Sequence, residues 1–253
     1  MGIEVPPLLN RSSLDSARFG IEVWRGHVSA QQLPDVWQEI VNVRADVAIF
    51  RVPAEHIRAM SGYSGPRNSL IHADTLVYYS QDLKHREINA LSRPGSSYRI
   101  ATPEDEAELR EVTKSVFASY QNHYHANPVF PADKVLAGYA EWAVNHLRPD
   151  RNLMTWVATD QGSIVGFICC GLDSSGISAE IILNGVLSTH VGQGIYADLV
   201  RTAQGHFKQA GIEELSVSTQ VGNYAVQRVW AREGLRLSHA FDTWHVNAML
   251  THG

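Results

Sequence analysis

The sequence predicts an α/β (α+β) chain with a mixed, mainly antiparallel sheet flanked by helices, preceded by a smaller α/β domain. Three features carry this expectation. The apolar runs "LMTWVATD", "SIVGFICCGL" and "ISAEIILNGVL", between residues 153 and 187, are joined by short turns, the pattern of an antiparallel meander. The last run passes through a glycine turn, "THVGQG", into an amphipathic helix. Further upstream, "LSRPGSS" from Leu91 to Ser97 interrupts two segments of ordinary apolar content. That break separates an expected N-terminal domain over residues 1–95 from a second domain over residues 96–253.

Before the break, "FGIEVWRG" and "VAIFRV" read as strands, "LPDVWQEIV" and "AEHIRAM" as helices, and "DTLVYYSQDL" as a closing strand. After it, Thr102 is a candidate N-cap, with Pro103 in the first helical position and acids in the first turn. A helical region then runs to about His146, broken by the prolines of "NPVFPAD". Beyond the meander, Ile195, Leu199, Ala203 and Phe207 recur every four residues, and Lys208 and Gly211 close that helix. "IEELSVSTQ" follows as a strand, "GNYAVQRVWAREGL" as a helix stopped by Gly234, and "RLSHAFDTWHVN" as a strand.

With 253 residues, 44% hydrophobic and 19% charged, the chain is expected to fold around one large core or two modest ones. A formal charge of -5 and no Lys/Arg run argue against nucleic acid or an anionic membrane surface as partner. No segment has the roughly twenty apolar residues of a membrane span, and the N-terminus lacks a leader pattern, so a cytoplasmic location is expected. Cys169 and Cys170 are adjacent in a strand, point to opposite faces, and read as small buried hydrophobes.

The glycine turn has a chemical reading of its own. The free N–H groups of a first helical turn, joined to those of a turn unshielded by Cβ atoms, form a concave anion site that holds phosphate without a lysine. A side chain at Gly194 is expected to project into that concavity. Neither G-x-x-x-x-G-K-[ST] nor G-x-G-x-x-G is present, because Ala197 stands where a third glycine belongs.

On these residues, the chain from about Tyr98 to Asn247 resembles the GNAT family of acyl-CoA-dependent N-acyltransferases. The family's central strand and pyrophosphate loop lie over Val186 to Tyr196, and its N-x-x-A-type helix lies over Asn223 to Gly234. Within the family it is similar to two-domain transferases that acetylate dTDP-linked 4-amino-4,6-dideoxyhexoses. The similarity rests on "YHANPVF", "YAEW", "TQVGN" and a comparable N-terminal domain, here read as partly GNAT-like. The resemblance implies a GNAT fold with a splayed central strand pair, and acetyl-CoA or another short acyl-CoA as co-substrate. It places that molecule on Val186, Leu187, Ser188, His190, Val191, Gly192, Gln193, Gly194, Ile195, Tyr196 and Asn223, with the backbone N–H groups near Val186 and Leu187 on the pantetheine and thioester.

The chain departs from the family pattern in several places. Ser188 replaces a proline, Val191 a Gln or Arg, and Tyr196 a small residue, which is expected to narrow the space beside the phosphates. Trp230 occupies the position near the leaving thiolate where many members carry a Tyr, and an indole N–H cannot give up its proton at neutral pH. Asn184, at the same parity as Glu180 on the central strand, is the polar group nearest the reacting end.

Tyr120, His123, His125, Tyr139 and Trp142 are candidates for an acceptor wall that stacks on a ring and hydrogen-bonds its edge; the alternative is that they only pack two helices together. His123 and His125 have no Cys or carboxylate to complete a zinc set, so no metal is expected. The expected reaction is acyl transfer to a small-molecule amine, most specifically on a nucleotide-linked sugar. A protein-directed acetyltransferase, another small-amine acetyltransferase and an inactive acyl-CoA-binding module are the alternatives, and a homodimer stays open.

Overall fold

The computed structural model of the protein describes residues 7–93, 97–148 and 152–248. Contacts divide the chain into two units, both discontinuous in sequence. The first comprises Met1–Val77, Gln121–Val135 and His239–Gly253, and the second Tyr78–Tyr120 and Leu136–Ser238. This division does not coincide with a single cut at 95/96, and Pro94 to Ser96 of the expected boundary lie outside the described residues.

In the first unit, β1 (Asn10–Arg11) leads to α1 (Ser13–Phe19), then β2 (Val23–His27), α2 (Leu33–Asn42) and β3 (Val47–Pro53). The segment read as strand from Phe19 begins instead with the last turn of α1. Ser12 caps that helix by accepting from the Asp15 N–H at 3.4 Å, and Gly20 ends it in the left-handed region. The "AEHIRAM" segment is a 3₁₀ helix over Ala54–Gly62, with a kink at His56, rather than an α-helix. β4 (Leu70–Asp82) follows and crosses into the second unit at Val77/Tyr78.

What draws the C-terminal strand β10 (Arg236–Asn247) into the first unit is its pairing with β3, from Phe241↔Pro53 to Asn247↔Val47. The strand order there is β1-β2-β3-β10-β4, with β2 parallel to β3. Leu33, Val36 and Ile40 of α2 pack on one face of this sheet against Ala48, Phe50 and Val52.

The segment 121–130 is fixed in the first unit by a buried chain of polar groups. Val129 N–H donates to Asn127 Oδ1 at 3.3 Å, which orients the amide, so Asn127 Nδ2 faces His245 Nδ1 at 3.3 Å and donates to it. His245 therefore carries its proton on Nε2 and donates to His123 Nδ1 at 2.9 Å. Burial holds both imidazoles below the ordinary histidine range, His245 at about 3. His123 is thus a neutral link in the core, with its Nδ1 taken by His245, and not an open acceptor contact. His125 is exposed, and its Nδ1 accepts from the Asn122 N–H at 3.2 Å to cap a short turn.

In the second unit, β5 (Ser97–Ile100), β6 (Leu153–Asp160), β7 (Ser163–Leu172) and β8 (Ser178–Val186) pair antiparallel in sequence, as the short turns predicted. The first half of the helical region is α3 (Glu106–Phe117), and α4 (Ala132–Asn145) is the second. On one sheet face, Leu109, Val112 and Phe117 of α3 and Ala143 of α4 pack on Phe167, Cys169 and Leu183. On the other, α5 (Ile195–Gln209) and α6 (Tyr224–Arg232) cover Ile168, Cys170 and Ile181. The adjacent cysteines accordingly sit in different half-cores, and burial raises both thiols, Cys169 to about 12.

Two neutral imidazoles buried in the folded state give a definite acid response. Their folded pKa values lie below the ordinary 6.5, so below that pH the unfolded chain binds more protons than the folded one. Stability of the first unit is expected to be full above about pH 6.5 and to fall as pH drops toward 3. Denaturant midpoints measured from pH 7.5 to pH 4 check this, and a flat profile contradicts it. Asn127→Ala, which strands the His245 nitrogen, is expected to cost about 1–3 kcal/mol in the same assay at pH 7.5.

Candidate active site

The site is built where two strands of the second unit part. β8 pairs in parallel with β9 (Glu214–Gln220) only from Ser178↔Glu214 to Ile181↔Val217. Beyond that, β8 stays on β7, where Leu187 N–H donates to Val165 O at 2.9 Å. Leu187 N–H is therefore occupied by β7 and does not face the gap as expected. The alternation of an antiparallel ladder instead turns the backbone groups of Val186 and Asn184 toward the edge that β9 has left.

At the end of β8 the chain makes a 3₁₀ turn, Ser188–His190, then passes Gly192 and Gly194 into α5. Both glycines are left-handed, with φ of 82° and 85°. From Gly192 to Ala197, consecutive backbone N–H groups have no acceptor among the described residues. Adjacent free donors at a helix N-terminus are the groups that the sequence reading expected to receive an anion. One expectation about it changes: a Cβ at Gly194 meets Ser92 Oγ at 2.8 Å, while one at Gly192 meets nothing within 4 Å. A side chain at Gly194 therefore meets the chain segment before Pro94.

That segment is clamped by a carboxylate. Asp198, fully buried in the first turn of α5, accepts from Ser92 N–H and Oγ at 2.8 and 2.9 Å, Arg93 N–H at 2.9 Å, Tyr98 Oη at 3.1 Å and Arg201 at 2.8 Å. Burial alone would raise its pKa, but these donors hold it below the ordinary value. The clamp sets the Arg93 guanidinium against the glycine turn, donating to Gln193 Oε1 at 2.8 Å. Sequence reading missed Arg93 because the residue that holds it lies far along the chain. It supplies a cation where Val191, exposed, replaces the usual Gln or Arg. His190 is engaged locally, with Thr189 Oγ1 at 2.8 Å and Asp160 Oδ2 at 3.4 Å. Asn223 precedes α6 at its N-cap and donates to Thr219 Oγ1 at 3.1 Å.

Tyr196 does not narrow the phosphate turn. Its side chain points inward, where Trp230 Nε1 donates to its hydroxyl at 2.7 Å and that hydroxyl donates to Asn184 Oδ1 at 2.8 Å. Trp230 is buried and packs against Tyr79, with ring centroids 5.4 Å apart. Burial pushes the Tyr196 phenol above the ordinary tyrosine range, against the Trp230 hydrogen bond. On the β9 side of the gap, Tyr120 Oη donates to Gln220 Oε1 and lies 3.4 Å from Thr219 Oγ1.

The residues expected to form an acceptor wall do not group together in one unit. Tyr120, Tyr139 and Trp142 belong to the second, where Tyr139 stacks on Phe117 at 4.3 Å and joins α3 to α4; His123 and His125 belong to the first. Among the described residues, no group of three or more His, Cys, Asp or Glu could hold a metal ion.

Parted strands, a cradle of free amides at the end of one of them, and a polar floor between them define a site for a phosphate-bearing donor with an extended tail. Comparison with known proteins gives the class. The sequence matches the acetyltransferase (GNAT) family over residues 109–235, and the chain belongs to that family of acyl-CoA-dependent N-acyltransferases, which use acetyl-CoA as co-substrate. No curated protein matches it by sequence.

Solved structures share the fold at low identity. A GCN5-related N-acetyltransferase from Sphaerobacter thermophilus is 16% identical with a TM-score of 0.61, covering 94% of this chain and 75% of its own. One from Kribbella flavida is 11% identical with a TM-score of 0.61, covering 90% and 82%. A tandem GNAT protein from the clavulanic acid biosynthesis pathway is 13% identical with a TM-score of 0.55, covering 84% and 67%.

Replacing Arg93 by Ala is expected to weaken CoA binding about tenfold or more, the loss of one charge-assisted contact. Calorimetry with CoA checks it, and the loss should shrink at high salt. Gly194→Val is expected to lower both thermal stability and CoA affinity, since it imposes a left-handed β-branched residue and displaces Ser92. Unchanged melting and binding would contradict the clamp.

Proposed function

We propose that the protein transfers an acetyl or short acyl group from acyl-CoA to the amino group of a small acceptor, specifically an amino-deoxysugar linked to dTDP. The observation that supports the transfer is that the free N–H groups of 192–197 follow, along the chain, the part of β8 that β9 has left. The amides and Arg93 receive the donor's phosphates. The backbone of Val186 and Asn184 pairs with its extended amide tail as a missing strand would. The carbonyl then lies near the N–H donors of the gap, where charge developing on oxygen is stabilised.

The acceptor is assigned to the end of the gap lined by Tyr120, Thr219 and Gln220, with Tyr139 and Trp142 behind, where rings and polar edges occur together. The nucleotide-sugar assignment rests on the segments "YHANPVF", "YAEW" and "TQVGN". The N-terminal part is proposed to be a diverged, non-catalytic GNAT-like domain, in keeping with the tandem GNAT protein among the structural relatives.

The test follows thiol release from acetyl-CoA in the presence of dTDP-linked amino sugars and of the same sugars without nucleotide. The linked form is expected to have the larger kcat/KM, because binding energy from the remote nucleotide positions the amine. Equal rates rule out the nucleotide-sugar acceptor. Absence of thiol release with every amine, alongside tight CoA binding, rules in an acyl-CoA-binding module instead.

A further inference from the structure

We propose that the Tyr196 phenol, reaching into the strand gap from α5, is the proton donor to the departing sulfur, in place of any group at position 230. The inference rests on the acyl-transfer reading above and adds to it the residue that completes the reaction.

The geometry fixes the phenol oxygen from both sides. Trp230 Nε1 has only a hydrogen to offer, so at 2.7 Å it must be the donor and Tyr196 Oη the acceptor. The hydroxyl hydrogen is thereby left for Asn184 Oδ1, 2.8 Å away on the strand that borders the gap. Neither partner is loose: Trp230 is 1% exposed in the core under Tyr79, and Asn184 is held in register opposite Ile168 of β7. The proton is consequently carried on a rigid ring, at the edge where β8 no longer has β9 beside it.

The hydrogen bond from Trp230 suits proton release, while Asn184 Oδ1 orients the hydroxyl hydrogen before the reaction. When the phenol gives up its proton, the indole N–H remains aimed at the oxygen and stabilises the phenolate in a site with little water. Burial raises the phenol's pKa, so it carries its proton throughout the neutral range and is an acid, not a base, before the reaction starts. The Tyr120 hydroxyl is bound to Gln220 on the opposite strand.

The step balances without any outside acid. The acceptor nitrogen forms a bond to the thioester carbonyl carbon, and the carbon–sulfur bond breaks with both electrons going to sulfur. The Tyr196 proton passes to that sulfur and gives the free thiol of CoA. The phenolate takes up the proton that the acceptor nitrogen loses, which returns Tyr196 to its starting state.

Tyr196→Phe keeps the ring and removes the proton. With acetyl-CoA as donor and a dTDP-4-amino-4,6-dideoxyhexose as acceptor, its kcat is expected to fall about 10²–10⁴-fold while the Kd for acetyl-CoA moves less than about threefold. A second comparison covers the case in which that variant fails to fold or to bind. Tyr196→Ala with Trp230→Tyr returns a phenol to the gap from α6, and its kcat is expected to exceed that of Tyr196→Ala with Trp230→Phe by about tenfold or more. Wild-type kcat in Tyr196→Phe overturns the assignment, as does equality of the two double variants. If the unmodified protein binds acetyl-CoA and yet releases no thiol to any acceptor, the acyl-transfer reading itself has failed, which is a separate result.

Discussion

The second unit is organised by one carboxylate without solvent. Asp198 stands in the first turn of α5, where the free N–H groups of a helix already favour negative charge, and it gathers donors from the chain before Pro94, from β5 and from its own helix. A buried charge of this kind is tolerable only when its lone pairs are filled, and here they are. Because the donors come from separate stretches of chain, satisfying the charge also fixes the geometry of the glycine turn beside it. Arg201 extends the arrangement to Glu233, at 2.7 Å, so α6 is held to α5 by the same hub. The orientation of Arg93 and the exclusion of a side chain at Gly194 both belong to this arrangement.

Much of the scaffold was legible in the sequence because it is local. Alternating apolar residues wrote the meander, glycine and lysine closed α5, and the four-residue spacing of Ile195, Leu199, Ala203 and Phe207 marked the face that is buried. The helix α1 was also written locally, in the Ser12 cap, Asp15 and Gly20, but the apolar run that follows it masked the signal. The discontinuity of the units was not legible. It depends on Asn247 pairing with Val47 and on Asn127 reaching His245, relations that no window of sequence contains.

The candidate site divides in the same way. The glycine turn was found from its pattern, since backbone donors at a helix start require little more than the right residue types. Arg93 was invisible because the serine and proline around it read as linker, whereas its backbone is bound to a residue about a hundred positions later. Tyr196 was identified, but its direction was not, because a motif position says which residue is unusual and not which way it turns. The exchange of a small residue for Tyr at 196 and of a Tyr for Trp at 230 becomes intelligible only as a contact between the two side chains.

The adjacent cysteines of β7 give the molecule a property unrelated to catalysis. Strand alternation places Cys169 under α3 and α4 and Cys170 under α5 and α6, both fully buried and both protonated. A thiol reagent can reach either only when the layer above it lifts away. Two adjacent backbone positions therefore carry a separate chemical clock for each half of the core, and labelling at the two sulfurs distinguishes the opening of the helix pair beside the donor site from that of the pair on the opposite side of the sheet.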